Sequence, residues 1–149
     1  MLKNIKLYRV QIWLQSISLE TNIDTWRWLN LVKFKELVQS FRRRWVEVSI
    51  DIILWLPWET LKDFIKTVNF AASINPWSIH INTLFLNPWT KLTKEKEKYW
   101  IETNENSKWL FSVPTLISSK TFSKKDIKLA KKYVEKISNK VVGTNIILR

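Results

Sequence analysis

Residues 46–60 read VEVSIDIILWLPWET, and the alternation in the first nine of them indicates a β-strand. Apolar side chains occupy every second position of Val46–Leu54, and Glu47, Ser49 and Asp51 lie between them. A period of two places the two sets on opposite faces of a sheet. The segment therefore predicts a strand with one apolar face and one polar face.

Two further strands and two helices surround this segment. Leu7–Gln15 and Ser78–Leu86 alternate in the same way, so we predict a strand in each. Apolar residues at helical spacing follow the candidate N-cap Asn30 and recur in Trp58–Ser73. The segment Ser16–Leu29 is predicted as a loop. The resulting β-α-β-α-β order implies parallel strands joined by crossover helices.

Two α/β architectures are compatible with this order. In a doubly wound sheet, helices cover both faces and the strands are apolar on both sides. In a barrel, one face packs under the helices and the other faces a lumen, which can be polar where it holds a ligand. The alternation favours a partial (β/α)6 TIM-like barrel, with its last three parallel strands in residues 1–91. Three strands cannot close a barrel, so further sequence or a partner is required.

Residues 92–149 are predicted as a helical C-terminal extension. Lys91–Tyr99 has the composition of a charged, exposed helix, and Thr103–Ser119 reads as an irregular polar linker. Ser123 and Asp126 resemble a capping box at the start of a final amphipathic helix. We interpret that helix as a packing element.

The composition limits the possible functions. The chain has no cysteine and one histidine, which excludes disulfides and thiolate metal sites. No apolar run approaches the roughly 20 residues that span a bilayer, and we expect a cytoplasmic location. Neither a phosphate-binding glycine loop nor a serine–histidine triad is evident. The net charge of +12 suggests attraction to phosphates, so a basic RNA-binding or interaction module without catalysis is an alternative function.

Tryptophan occupies positions that usually hold glycine. The chain has ten tryptophans and one glycine, whereas average usage gives about ten glycines. Trp45 and Trp100 each follow a predicted helix end, at the C′ position that favours a positive φ. Trp58, Trp77 and Trp89 directly follow proline, where a type II turn places glycine.

The strand-to-helix turn shows the same substitution. Trp55 and Trp58 bracket Leu56-Pro57 at a tight site usually built from small residues. Core aromatics follow a helix or strand period, whereas these tryptophans cluster at the ends of elements. Our hypothesis is that they correspond to UGA codons that a reassigned genetic code reads as glycine.

With glycine at the tryptophans, three segments resemble strands of radical-SAM enzymes. Residues 51–60 become DIILGLPGET, which is similar to the fifth-strand signature. Residues 10–16 become VQIGLQS and resemble the fourth strand, and residues 82–90 become NTLFLNPGT and resemble the sixth strand. The closest resemblance is to radical-SAM proteins with an N-terminal cobalamin-binding domain, over about residues 7–90.

The resemblance implies that S-adenosylmethionine lies across the carboxyl ends of the strands. It assigns contacts with the adenine and ribose to Ile53, Trp55 and Pro57. It also places Gln15 and Ser16 in the wall of the cofactor pocket.

Further candidates lie beside that pocket. Arg27 is either a partner of the cofactor carboxylate or a solvent-facing loop cation. His80, next to Asn82 on the polar face, is either a substrate or cofactor contact, an acid–base group, or a hydrogen-bonded wall residue. Asp51 is a candidate wall residue on the same face.

The [4Fe-4S] cluster and the cobalamin that the resemblance implies have no ligands in this chain, because the cysteine motif and the cobalamin domain are absent. We therefore expect a fragment that is inactive alone. Its substrate would be a small molecule or an RNA, and its candidate partner is the missing N-terminal half as a separate chain.

Overall fold

The computed structural model describes residues 7–24, 29–104 and 115–149. The strands are β1 (Arg9–Gln15), β2 (Glu47–Leu54), β3 (Ser78–Thr83), β4 (Glu102–Asn104), β5 (Thr115–Ser118) and β6 (Asn145–Leu148). The helices are α1 (Leu19–Asp24), α2 (Leu31–Arg42), α3 (Leu61–Ser73), α4 (Lys91–Lys94) and α5 (Lys124–Ser138). Within these ranges, no helix combines the length and the apolar character needed to cross a membrane.

The fold is α/β with a parallel sheet of four strands in the order β1-β2-β3-β6, while β4 and β5 form a separate antiparallel pair. The predicted parallel pairing of the first three strands is confirmed. Helices α2 and α3 connect these strands, as predicted. Asn30 caps α2 by accepting a hydrogen bond from the Lys33 amide at 3.0 Å. The second helix begins at Leu61, after the N-cap Thr60, which is three residues later than predicted.

The core lies between the sheet and helices α2, α3 and α5. The alternation predicted for β2 is confirmed, because Val48, Ile50, Ile52 and Leu54 are all fully buried in this core. The fully buried side chains of the core include Leu14, Val38, Val48, Ile50, Ile52, Leu54, Phe64, Val68, Ile79, Ile81, Phe122 and Ala130. The other face of the sheet carries polar residues, and its outer strands leave Trp13 and Ile147 exposed.

The C-terminal extension adds a strand that sequence analysis did not predict. Strand β6 pairs in parallel with β3, with Asn145 opposite Ser78. The Arg149 amide continues the ladder by donating to the Ile81 carbonyl at 2.9 Å. A run of four residues is too short for its periodicity to separate strand from helix. Only the exposed edge of β3 makes it a strand.

Three local predictions were wrong. The segment predicted as the loop Ser16–Leu29 contains α1. The helix predicted over Lys91–Tyr99 is limited to α4, and Tyr99 is buried against the Trp58 ring at a centroid distance of 5.6 Å. The segment predicted as the linker Thr103–Ser119 overlaps β4 and contains β5, and these two strands pair with each other. The predicted capping box of α5 at Ser123 is confirmed.

The two tryptophans predicted at C′ positions have left-handed backbone conformations. The φ of Trp45 is 60° and that of Trp100 is 51°. The Val46 amide donates to the Phe41 carbonyl at 3.1 Å, and the Trp45 amide donates to the Arg42 carbonyl at 2.9 Å. This bond pair defines a Schellman motif with Trp45 at C′. The same pair recurs around Trp100.

The turn after β2 shows the same constraint. The φ of Trp55 is 79° and that of Trp58 is 64°. The Glu59 amide donates to the Leu56 carbonyl at 3.1 Å. With proline at its second position and a positive φ at Trp58, the turn is of type II.

The prediction of positive φ was wrong for the other two tryptophans that follow proline. Neither Trp77 nor Trp89 has a positive φ. Trp77 instead directly precedes β3, and its amide donates to the Val48 carbonyl at 2.9 Å. The turn from Asn87 to Thr90 is closed by a 3.0 Å backbone hydrogen bond and needs no glycine at Trp89.

Four tryptophans in left-handed conformations are costly for the fold. An L-residue in this region loses about 1–2 kcal/mol relative to its favoured conformations, so the four together cost a large part of the roughly 5–15 kcal/mol that stabilises a domain. The indoles recover little of this at Trp45 and Trp100, which are 93% and 70% exposed. At Trp55 the indole is buried, but its Nε1 has no hydrogen-bond partner. The four positions therefore suit glycine better than tryptophan.

We expect Trp45→Gly and Trp100→Gly each to raise the free energy of unfolding by about 0.5–1 kcal/mol, because relief of the left-handed strain outweighs the entropic cost of glycine. Urea denaturation measures the change. Trp77→Gly is the matched control, since its φ is not positive, and it should lower the stability. A loss of stability in all three variants would contradict the strain argument.

Candidate functional site

A cavity lies at the carboxyl ends of β1, β2 and β3. Its volume is about 280 Å³, and we call it the carboxyl-end cavity. The lining residues are Trp13, Gln15, Asp51, Ile53, Asn82, Thr83, Leu84, Phe85 and Asn87. Parallel strands end at one edge of the sheet, so residues that are distant in sequence meet there. Of the predicted site residues, Gln15, Asp51, Ile53 and Asn82 are brought together.

The backbone geometry of β1 turns Gln15 toward this cavity. The register between β1 and β2 shifts between Trp13 and Gln15, and the φ of Gln15 is 61°. A bulge of this kind re-aims a side chain at the end of a strand. Sequence analysis predicted the position of Gln15 but not the bulge.

Asp51 is the buried carboxylate of the cavity. It is 6% exposed, and its Oδ2 accepts a hydrogen bond from the Gln11 amide. Its Oδ1 has no hydrogen-bond partner of good geometry but lies 3.4 Å from His80 Nδ1. A buried carboxylate needs such partners because desolvation alone disfavours its charge.

Four predicted site residues in the described part of the chain do not line the carboxyl-end cavity. Ser16 is buried, and its hydroxyl donates to Glu59 Oε1 at 2.7 Å. Trp55 points into the core and makes an edge contact with the Phe122 ring at 6.4 Å. Pro57 and His80 are described below.

The Pro57 carbonyl is used inside the fold, where it accepts a hydrogen bond from the Thr21 hydroxyl at 3.1 Å. His80 lies closer to the amino ends of the strands and lines a second cavity. Arg27 lies outside the described residues.

Glu59 is a buried acid that sequence analysis passed over. It is fully buried at the start of α3, and its Oε2 has no hydrogen-bond partner. Burial raises the pKa of Glu59 from 4.5 to about 8, against the opposing effect of the Ser16 hydroxyl. The protonated side chain therefore joins the end of β1 to the turn after β2. The one feature of the sequence that could have singled out Glu59 was its place in the turn of residues 56–59.

We expect stability to fall as the pH rises from about 4.5 to 8, because the unfolded chain ionises Glu59 first. The raised pKa stabilises the fold below pH 4.5, and this contribution is lost by pH 8. At about 1.4 kcal/mol per pKa unit the loss is roughly 3–5 kcal/mol. Glu59→Gln removes the ionisation, so its free energy of unfolding should vary less over this window. The exposed Glu97→Gln control should keep the wild-type slope, and an unchanged slope in Glu59→Gln would contradict the assignment.

Two further lining residues of the carboxyl-end cavity, Phe85 and Asn87, were not predicted as site residues. Phe85 belongs to Ser78–Leu86, which was predicted as a strand although β3 ends at Thr83, and Asn87 follows that segment. The predicted alternation included Phe85 without indicating a place in a site, and no periodicity marks Asn87. The sequence feature that could have indicated them was their position directly after the strand, at the carboxyl edge of the sheet.

The groups in the carboxyl-end cavity suit an organic ligand better than a metal ion. Among the described residues, no cluster of three or more histidine, aspartate or glutamate side chains could hold a metal. The cavity instead combines three amides, one carboxylate and an apolar wall, a mixture typical of small-molecule sites. Comparisons with protein-family models and with curated proteins found no match to this chain.

Proposed function

We propose that this chain is the C-terminal part of a radical-SAM barrel, and that the carboxyl-end cavity holds part of S-adenosylmethionine. The observation that carries the proposal is the convergence of the three resembling segments on one cavity. Gln15 comes from the first segment, Ile53 from the second and Asn82 from the third. The parallel pairing of β1, β2 and β3 brings these ends to one edge, which is where ligand sites of α/β folds form.

The side chains of the cavity fit an adenosyl group. The amides of Gln15, Asn82 and Asn87 can donate and accept hydrogen bonds at the polar edge of a purine or at ribose hydroxyls. Ile53 and Leu84 offer an apolar wall for the ring. The volume of about 280 Å³ is slightly below the usual range of roughly 300–1,000 Å³ for ligand pockets. This supports a pocket that the chain shares with the missing half of the barrel.

The turn after β2 supports the same proposal. Trp55 and Trp58 have the positive φ values that a Gly-Leu-Pro-Gly turn would adopt without strain. The turn begins just after β2, close in sequence to the cavity residue Ile53. Glycine at 55 and 58 would leave the backbone free to approach a ligand closely.

The edge of β1 supports a missing barrel half as partner. β1 is an edge strand of the sheet, and an unpaired edge is a template for a further strand. Large apolar side chains are exposed just before β1, at Tyr8, and on the two helices that follow it, at Leu19, Ile23 and Val32. We propose that a preceding βα unit covers them and brings the iron–sulfur cluster. This chain has no cysteine, so none of its residues fits the cluster and we assign it no redox step.

We expect S-adenosylhomocysteine at millimolar concentration to shift the NMR signals of Gln15, Ile53 and Asn82 in the isolated chain. Asn82→Ala should weaken binding by about five- to tenfold, the usual effect of losing one hydrogen bond worth roughly 1 kcal/mol or slightly more. Gln39→Ala on α2 is the matched control and should bind as the wild type does. Unchanged spectra, or shifts remote from the cavity, would disprove the cofactor site.

The alternative function, RNA binding, is supported by the outer face of α5. This helix and its cap expose Lys124, Lys125, Lys128, Lys131, Lys132, Lys136 and Lys140, and the nearest acids on it are Asp126 and Glu135. Such a stripe attracts a phosphate backbone.

We expect a triple Lys128, Lys131 and Lys132→Gln variant to bind single-stranded RNA with a weaker salt dependence. Each lost phosphate contact should reduce the slope of log K against log salt by about 0.7. Fluorescence anisotropy at several salt concentrations measures the slope. Lys62, Lys66 and Lys91→Gln removes the same charge elsewhere and serves as the control, and equal slopes in both variants would exclude a site on α5.

A further inference from the structure

A serine, a histidine and an aspartate lie in a row on the polar face of the sheet, with a hydrogen bond between the first two and a close contact between the last two. Ser78 Oγ lies 3.2 Å from His80 Nε2, and His80 Nδ1 lies 3.4 Å from Asp51 Oδ1. Ser78 and His80 line a second cavity of about 410 Å³, which we call the amino-half cavity. Arg9, Ser49, Asn145 and Arg149 also line it.

The strand geometry builds this arrangement. Ser78 and His80 are two residues apart on β3, so their side chains share one face. The parallel register places Asp51 directly opposite His80 and Ser49 opposite Ser78. Because Asp51 belongs to another strand, local sequence spacing could not reveal the group.

The hydrogen bonds suit proton transfer from the serine. Gln11 donates to Asp51 Oδ2, which leaves Oδ1 facing the histidine. A carboxylate beside Nδ1 favours the tautomer with the proton on Nδ1. Nε2 is then a lone-pair acceptor for the Ser78 hydroxyl, the arrangement that activates a serine nucleophile.

We propose that Ser78, His80 and Asp51 form a nucleophile, base and orienting acid that hydrolyse small anionic carboxylic esters. The amino-half cavity exposes the serine to a ligand, although Ser78 is only 4% accessible to solvent. Arg149 lines the cavity and favours a substrate with a negative charge, whereas the charge of Arg9 is already paired with Glu47 at 2.6 Å. This proposal does not rest on the proposed cofactor, although the two sites share Asp51, which lines the carboxyl-end cavity.

The reaction runs through an acyl-serine. Ser78 Oγ attacks the ester carbonyl carbon, and His80 Nε2 takes the hydroxyl proton. The ester C–O bond breaks and His80 returns that proton to the leaving alkoxide, which departs as an alcohol. Water then attacks the acyl-serine with His80 as base, which releases the carboxylic acid and restores the Ser78 hydroxyl.

Two groups can stabilise the oxyanion. The Ser49 hydroxyl lies 2.8 Å from Ser78 Oγ, and Asn145 is the register partner of Ser78 on β6. Hydroxyl and amide donors close to the attacked carbonyl are the groups used for such oxyanions.

A fluorophosphonate probe and 4-nitrophenyl acetate test the proposal on the full chain. We expect peptide mass spectrometry to find the probe on Ser78, and Ser78→Ala to abolish the esterase rate above background. Asp51→Asn should lower kcat by at least about tenfold, because it loses the tautomer control seen in serine triads. Ser73→Ala, an exposed serine on α3, is the matched control and should keep the wild-type rate.

An unlabelled Ser78, or a wild-type rate in Ser78→Ala, would overturn the proposal. If Ser78→Ala does not fold, the position of the label in the wild-type chain decides alone. A monoester of succinic acid with 4-nitrophenol tests the charge preference. It should react faster than the acetate in the wild type, and Arg149→Gln should reduce that advantage. An equal rate for both esters would contradict the anionic substrate class.

Discussion

Burial of the apolar face of β2 is the constraint on which the rest of the structure depends. Val48, Ile50, Ile52 and Leu54 are fully buried there, and each contributes about 1.5–3 kcal/mol when removed from water. Strands β1 and β3 pair with both edges of β2, while the helices pack against its apolar face. Because the side-chain period of a strand is two, burying one face commits every intervening residue to the other. The positions of Ser49, Asp51 and Ile53 beside the two cavities therefore follow from the packing of the core.

The two ends of β2 share one backbone requirement. At its start, the Schellman motif at Trp45 lets the chain reverse from α2 into the strand. At its end, the type II turn at Trp58 starts α3. Both turns demand a left-handed residue, and tryptophan meets this demand with strain. Asn75, at the end of α3, shows the contrast: it also has a positive φ, but asparagine tolerates that region more readily.

Buried polar groups connect the core to the candidate sites. Glu59 and Ser16 join the turn after β2 to the end of β1, and both flank the carboxyl-end cavity without lining it. Asp51 plays a similar part on the polar face, where Gln11 and His80 approach its two oxygens. Buried polar pairs of this kind fix the relative positions of strands more sharply than apolar packing does, because an unpaired partner is costly. These buried polar pairs hold the carboxyl edge of the sheet in a fixed geometry, which suits ligand binding.

The sequence by itself determined what depends on neighbouring residues. Alternation defined β2, Asn30 and Ser123 defined helix starts, and the chemistry of helix ends marked Trp45 and Trp100 as positions of positive φ. The tertiary structure decided the rest. β6 is a strand because β3 offers an edge, Glu59 titrates high because the core surrounds it, and Asp51 meets His80 because two strands share a register. Each depends on contacts between distant residues, and local periodicity holds no information about those contacts.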